Sequence, residues 1–150
     1  MSQQTSDFIE ALHKLEQSED PGPISNLFSD NAQLSNPLTK DDASDPSSFW
    51  KNYRGSFEKV QSEFMAVVEG DGTAMLEWSS SGTIEGQPFS YSGVSVLEFE
   101  GGKIKTFRAY FDPRQLVAYT MGGGHSDHAE AVPEDAQREA AEQRAAGGYS

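Results

Sequence analysis

The segment "RAYFDP" at positions 108–113 places a base, a phenol and a carboxylic acid at the end of an otherwise apolar strand pattern. A carboxylate at the edge of a core costs free energy unless it is paired, hydrogen-bonded or neutral. Asp112 therefore has two interpretations: it caps the turn before Pro113, or it faces a pocket and acts there as a general base. Asp112 is the one catalytic residue that the sequence nominates.

The alternation of a strand decides which side chains accompany Asp112. Residues two apart share a face, so Arg108 and Tyr110 are predicted to line the pocket beside Asp112. The opposite face would carry Phe107, Ala109 and Phe111, and it is apolar enough to meet a partner subunit.

Large aromatic side chains supply a candidate pocket wall. Tyrosine and tryptophan combine an apolar body with a polar tip, which suits a cavity for a ring-bearing ligand. At helical or strand spacing, each of them also fits a plain core. The predicted pocket residues besides Arg108 and Tyr110 are Trp50, Tyr53, Trp78, Tyr91 and Ser95, the last on the same strand face as Tyr91.

Other chemistry has weaker support. "HSDH" at 125–128 could supply ligands to zinc or nickel, but such spacing in a glycine-led segment is usually accidental, and no metal site is predicted. The chain has no cysteine. It also contains no phosphate-binding glycine loop or nucleotide fingerprint, so no cofactor is expected.

Helices precede strands along the chain. Asp7 and Glu10 have capping-box spacing ahead of an apolar stripe, a short helix can begin near Pro23, and Asp45 before Pro46 suits the start of a third helix. Period-two segments at about 60–69, 73–84, 88–100 and 103–112 are joined by the hairpin signals "EGDGT", "EGQP" and "EGGK". This order predicts an α+β fold with an antiparallel meander.

The two middle strands each have one strongly apolar face and one face that is only half polar. The inner faces are predicted to carry Ala74, Leu76, Trp78 and Ser80 on one strand and Phe89, Tyr91, Gly93, Ser95, Leu97 and Phe99 on the next. Helices cover one side of such a sheet, so the mixed outer side favours a homodimer contact.

The composition of the chain limits the classes of partner that it is expected to bind. With 150 residues and a formal charge of -13, the chain is expected to bind neither nucleic acid nor anionic membranes. The first residues show no signal-peptide pattern, which favours a cytoplasmic protein. After Met121 large apolar residues almost vanish, so residues 1–121 are predicted to form the domain and 122–150 an acidic, flexible, partly helical tail.

The segment "GGKIKTFRAYFDP" resembles the last strand of SnoaL-like proteins, in the nuclear-transport-factor-2-like superfamily with ketosteroid isomerase and limonene epoxide hydrolase. The segments "LFSDNAQLSNP" and "FWKNYRGSF" agree with it, and the resemblance covers roughly residues 7 to 120. It implies a cone-shaped, strongly curved antiparallel sheet wrapped around N-terminal helices, with a pocket at one end. Family members often place an acidic residue in that pocket on the last strand, at the position of Asp112. The preceding strand lacks the Arg-x-Asp pair of limonene epoxide hydrolase, because it reads "YSGVSVLEF".

The function that follows is binding of a small apolar or aromatic molecule. An isomerase, cyclase or hydrolase that acts on an apolar cyclic substrate, with Asp112 in proton transfer, is one form of it. The alternative is a non-catalytic ligand carrier or a dimeric protein-interaction module. A cavity filled by Trp50, Trp78 and Phe99 would favour the interaction module.

Overall fold

The computed structural model describes residues 1–38 and 44–116. Three helices lie in the first part of the chain, α1 (Gln3–Ser18), α2 (Gly22–Ser25) and α3 (Pro46–Gly55). Five strands form one curved sheet, β1 (Phe28–Ser35), β2 (Lys59–Gly70), β3 (Thr73–Ile84), β4 (Gln87–Glu100) and β5 (Lys103–Phe111). The predicted α+β fold is confirmed. The predicted tail at 122–150, with the "HSDH" segment, lies outside the described residues.

The helices begin at side-chain caps. Ser2 accepts a hydrogen bond from the Thr5 backbone amide, so α1 begins before the predicted start at Asp7. The α3 helix begins as predicted, with Asp45 as its cap and Pro46 in its first turn. Both helices bury an apolar stripe against the sheet, and α1 contributes Phe8, Leu12 and Leu15. No helix in the described ranges is long and apolar enough to span a membrane.

The strand order is β1-β5-β4-β3-β2. The three predicted hairpins pair antiparallel, whereas β1 is a fifth strand that runs parallel to β5. The sheet is therefore not wholly antiparallel. The sequence analysis did not predict β1, because the exposed Asp30 interrupts the alternation of the buried residues Phe28, Ala32 and Leu34. The pairing of this strand also shifts between Phe28 and Gln33.

Two bulges change which side chains face the helices. In β2 the register shifts at Met65, between the Phe64–Trp78 and Ala66–Glu77 pairs. In β5 it shifts at Lys105, because Glu98 pairs with Thr106 while Phe99 pairs with Ile104. One extra residue reverses the alternation of every residue that follows it in the strand. Ile104 and Phe107 are consequently both buried.

The concave face of the sheet carries the core in cross-strand rows. One row joins Val67, Leu76, Ser95 and Ala109, and the next joins Phe64, Trp78, Gly93 and Phe111. Gly93 has no room for a side chain, since a Cβ there would lie 2.3 Å from the Tyr110 carbonyl oxygen and 2.9 Å from the Trp78 ring. The absence of a side chain at Gly93 therefore lets the indole of Trp78 approach the β4 backbone at this point.

Candidate functional site

A cavity of about 850 Å³ lies between the concave face of the sheet and helices α1 and α3. Its wall is largely aromatic, with rings from both helices and from strands β2 to β5. A cavity of this size matches the pockets that enclose small organic ligands. The rings in this wall include Trp50, Tyr53, Trp78, Tyr91, Phe107 and Phe111.

Five of the predicted pocket residues lie in this wall. Trp50 and Tyr53 come from α3, Trp78 from β3, and Tyr91 and Ser95 from β4. The rings contact one another edge to face, with centroids 5.6 Å apart for Trp50 and Tyr53 and 5.0 Å apart for Trp78 and Tyr91. They form a rigid wall around an open cavity rather than filling it.

The predicted placement of Arg108, Tyr110 and Asp112 in the pocket is wrong. Phe107, Ala109 and Phe111 line the cavity instead, and Tyr110 is 55% exposed on the opposite face. The alternation from Phe107 to Phe111 is regular, so the error lies in its starting point. The phase was set by placing Asp112 in the pocket, whereas the apolar Phe107 and Phe111 mark the face that lines the cavity.

Arg108 and Asp112 both have partners outside the cavity. Arg108 pairs with Glu98 on the neighbouring strand, with 3.2 Å between nitrogen and oxygen. Asp112 pairs with Arg114 at 2.7 Å and also accepts the Arg114 backbone N–H. The hydrogen bonds from Arg114 hold the pKa of the Asp112 carboxyl below its usual value. This arrangement is the turn-capping alternative for Asp112, and a carboxylate placed there cannot act on a ligand inside the pocket.

A buried carboxylate that the sequence analysis did not nominate lies behind the pocket wall. Glu16 of α1 is 5% exposed and accepts three hydrogen bonds: Tyr53 Oη at 2.9 Å, Ser62 Oγ at 2.6 Å and the Ser62 backbone nitrogen at 3.0 Å. Ser62 Oγ also lies 2.6 Å from Ser80 Oγ. We call Glu16, Tyr53, Ser62 and Ser80 the Glu16 cluster. All members except Glu16 line the cavity.

The sequence does contain a signal for Glu16. It lies four residues after Leu12 and eight after Phe8, so it falls on the apolar stripe of α1. A glutamate at such a position is almost never buried unless it is paired. The hydrogen-bond partners of Glu16 come from α3 and β2, and no spacing in the sequence connects those elements with α1.

The phenols of the pocket stay protonated at neutral pH. Burial raises the pKa of Tyr53 well above its ordinary value, and the neighbouring Tyr91 and Glu16 raise it further. Burial followed by the charge of Glu16 also raises the pKa of Tyr91. Both hydroxyls therefore serve the pocket as neutral hydrogen-bonding groups.

Two indoles place further polar atoms around the cavity. Trp78 Nε1 donates to Ser95 Oγ at 2.9 Å, which fixes the Trp78 ring against β4. Trp50 Nε1 is buried and has no hydrogen-bond partner within the described part of the chain. Such an unused buried donor is uncommon in native proteins.

The wall carries little charge. Among the described residues that line the cavity, Asp45 is the one ionisable acid or base of the Asp, Glu, Lys, Arg or His type. Its carboxylate accepts from Ser47 N and Ser48 Oγ at the start of α3. Within residues 1–38 and 44–116, no group of three His, Cys, Asp or Glu side chains is placed to hold a metal ion. The described site is thus an apolar cavity with neutral polar groups and one carboxylate, Asp45, at the start of α3.

Comparisons with known proteins agree with this architecture. The family model described as the SnoaL-like domain matches residues 7–107, which confirms the resemblance found in the sequence. No curated protein matches the sequence at a significant level.

Solved structures share the fold at low sequence identity. An LEH-like epoxide hydrolase from M. tuberculosis is 15% identical to this chain, with a TM-score of 0.63. The alignment covers 84% of this chain and 96% of the hydrolase. A ketosteroid isomerase-like protein from Catenulispora acidiphila, in complex with trimethylamine, is 15% identical, with a TM-score of 0.66 and coverages of 75% and 91%. An NTF2-like protein from Anabaena variabilis is 16% identical, with a TM-score of 0.67 and coverages of 73% and 87%. At these identities the likeness shows the fold alone.

Proposed function

The chain belongs to the SnoaL-like domain family, and on that premise we propose that it binds a neutral, apolar, ring-bearing small molecule in its aromatic pocket. The observation that carries the proposal is the open cavity of about 850 Å³ with aromatic side chains from six elements in its wall. Family membership alone does not decide function, because this fold hosts many activities.

The charge of the wall supports a neutral ligand. An anion in the cavity would have no lysine, arginine or histidine beside it among the described lining residues, and an unpaired buried charge is costly. Aromatic faces and edges at ring-to-ring distances of 5 to 6 Å favour ligands that present flat or caged hydrocarbon surface.

The two tryptophans of the chain make this proposal directly testable. Trp50 and Trp78 are the only tryptophans in the sequence, and both line the cavity. A nitrogen–proton NMR spectrum therefore contains two indole N–H signals, each of which reports on the pocket. Camphor, a neutral cage ketone, is expected to shift both signals, whereas camphorsulfonate, its anionic counterpart, is expected to shift them only at much higher concentration.

The controls for this titration come from the same chain. Asp112→Asn alters a carboxylate outside the cavity and should leave camphor binding unchanged. Trp50→Phe and Trp78→Phe assign the two signals. Indole signals that move at millimolar concentration with neither camphor nor its alcohol, borneol, would remove the proposal.

If the protein is an enzyme, we assign the handling of protons to the Glu16 cluster and not to Asp112. Tyr53 lines the cavity and is hydrogen-bonded to a buried carboxylate, which is the arrangement that general acid–base chemistry uses. An isomerase, cyclase or hydrolase would convert its ligand, whereas a carrier would return it unchanged. No cofactor is expected in either case.

The outer face of the sheet supports a second proposal, homodimerisation. Val68 and Met75 are cross-strand partners on that face, and they are 68% and 49% exposed. Met65 and Tyr110 are exposed on the same side. Contiguous apolar side chains on an open sheet face are a common dimer interface.

The net charge of -13 supports the expectation of no nucleic-acid or anionic membrane partner, and the cytoplasmic location stays a prediction.

A further inference from the structure

We propose that the Glu16 cluster gives the pocket a hydrogen-bond-accepting end, so that its ligand carries a hydroxyl or amine hydrogen at that end. The inference rests on the proposed function and specifies the polar group of the same ligand. The direction of each hydrogen bond in the cluster carries it.

The direction is set by Glu16. A carboxylate has no hydrogen to donate and can only accept. Glu16 therefore takes the hydroxyl hydrogen of Tyr53 and the hydroxyl hydrogen of Ser62, in addition to the Ser62 backbone N–H. A phenol has a single hydroxyl hydrogen, so Tyr53 has no hydrogen left for a ligand. Its oxygen keeps a lone pair, which is an acceptor.

The hydroxyl hydrogen of Ser80 is also directed at a partner within the cluster. Because the Ser62 hydrogen is directed at Glu16, the 2.6 Å contact between Ser62 Oγ and Ser80 Oγ is made by Ser80 donating to Ser62. Ser80 is 2% exposed and is left with lone pairs. Tyr53 and Ser80 both line the cavity, and the hydroxyl oxygen is the one polar atom that each of these side chains brings to its wall.

This polarity discriminates between two common ligand groups. A ligand hydroxyl or amine can donate to the oxygen of Tyr53 or Ser80. A ligand carbonyl placed there would meet a lone pair, and a buried polar atom without a partner is disfavoured. A hydrogen-bonding site rejects an analogue that lacks the matching group more strongly than an apolar pocket rejects a change of size.

Borneol and camphor test the inference, because they share one caged skeleton and differ in bearing a hydroxyl or a carbonyl. Both are titrated into the full-length protein and its variants, with the indole N–H signals of Trp50 and Trp78 as the readout. Tyr53→Phe is expected to weaken borneol binding by about tenfold, the effect of one lost hydrogen bond, and to weaken camphor binding much less.

Glu16→Gln keeps the cluster in place and reverses the direction of the hydrogen bond between residue 16 and the Tyr53 hydroxyl. The amide that it introduces can donate to the Tyr53 oxygen, which releases the phenol hydrogen toward the pocket. The ratio of camphor to borneol affinity is then expected to rise several-fold above the wild-type ratio. Asp112→Asn, which alters a carboxylate outside the pocket, should leave the ratio as it is.

Ser80→Ala provides an independent variant if Glu16→Gln does not fold, because it removes an acceptor and keeps the bond between Glu16 and Ser62. It should weaken borneol more than camphor. Equal losses for both compounds in Tyr53→Phe and Ser80→Ala would overturn the inference and leave the proposed function intact. Failure of both compounds to move the wild-type indole signals would remove the proposed function itself.

Discussion

The Tyr53 hydroxyl lies 2.9 Å from a carboxylate oxygen of Glu16, a contact that joins α3 to α1 across 37 positions of the sequence. The same carboxylate accepts the Ser62 backbone N–H of β2. Arg54, next to Tyr53, adds a bond from its Nε to the Glu16 backbone oxygen at 3.1 Å. Glu16 is therefore a positioning residue, which holds three elements together behind the pocket wall without lining the cavity.

Glu16→Ala is expected to destabilise the fold by about 2–4 kcal/mol, because it leaves a buried backbone N–H and two buried hydroxyls without their acceptor. The free energy of unfolding in urea measures the loss. Glu10→Ala is the matched control, since Glu10 is exposed on the same helix. Its effect should stay within about 0.5 kcal/mol of the wild type. Equal unfolding energies for the two variants would contradict a structural role for the Glu16 carboxylate.

Two buried phenols predict a loss of stability at high pH. Burial raises the pKa of Tyr53 and of Tyr91 above the ordinary value of 10.0, so the folded protein retains protons that the unfolded chain releases. The contribution of these phenols to stability is thus complete below pH 10.0, and it decreases as the pH rises toward their folded-state pKa values.

Ultraviolet absorbance of tyrosinate checks this expectation. The chain has five tyrosines, and Tyr53 and Tyr91 should ionise only when the protein unfolds. Tyr53→Phe should therefore remove absorbance from the late part of the titration. Smooth ionisation of all tyrosines near pH 10.0, with the fold intact, would be incompatible with two buried phenols.

Asp112→Asn is expected to leave ligand binding unchanged and to cost less than about 1 kcal/mol of stability, since its partner Arg114 is a solvent-exposed side chain. Arg114 lowers the pKa of the Asp112 carboxyl, so the small stabilisation is present above pH 3.8 and is lost as the pH falls below that value. Thermal melts at neutral and acidic pH, with a camphor titration, test both statements. A large loss of camphor affinity in Asp112→Asn would place this carboxylate back in the pocket.

The homodimer proposal predicts that light scattering gives twice the monomer mass of 16.4 kDa at micromolar concentration. Replacing both Val68 and Met75 with glutamate should yield a folded monomer, because charges on the outer face cannot be buried in an apolar interface. Lys14→Glu changes the net charge by the same two units on an exposed helix position and should leave the dimer intact. A wild-type monomer mass would exclude the dimer.

The inner faces of β3 and β4 could be predicted from the sequence because their alternation is unbroken. Leu76 and Trp78 on one strand and Tyr91 and Ser95 on the other face the helices as expected. In β5 the phase of the alternation was set by the assumption that Asp112 faces the pocket, and that assumption was wrong. The apolar residues Ile104 and Phe107 of "KIKTFRAYF" lie three positions apart, which is the sign in the sequence of the extra residue at Lys105.

Glu16 was missed for a different physical reason. A charged residue within a helix is normally solvated, and burial becomes acceptable only when donors from other elements converge on it. Those donors are brought to Glu16 by the packing of α3 and β2 against α1, through contacts 37 and 46 positions apart in the chain. Local pattern analysis has no access to contacts at that separation.

The bulge at Lys105 has a consequence for how β5 tolerates genetic change. A point mutation in this strand replaces one side chain. The in-frame loss of a single codon at the bulge would instead turn every following side chain of the strand to the opposite face of the sheet. Arg108 and Tyr110 would turn toward the cavity, and the rings of Phe107 and Phe111 toward solvent. The composition of the pocket is thus encoded in the number of residues between the last hairpin turn and Pro113 as much as in their identity.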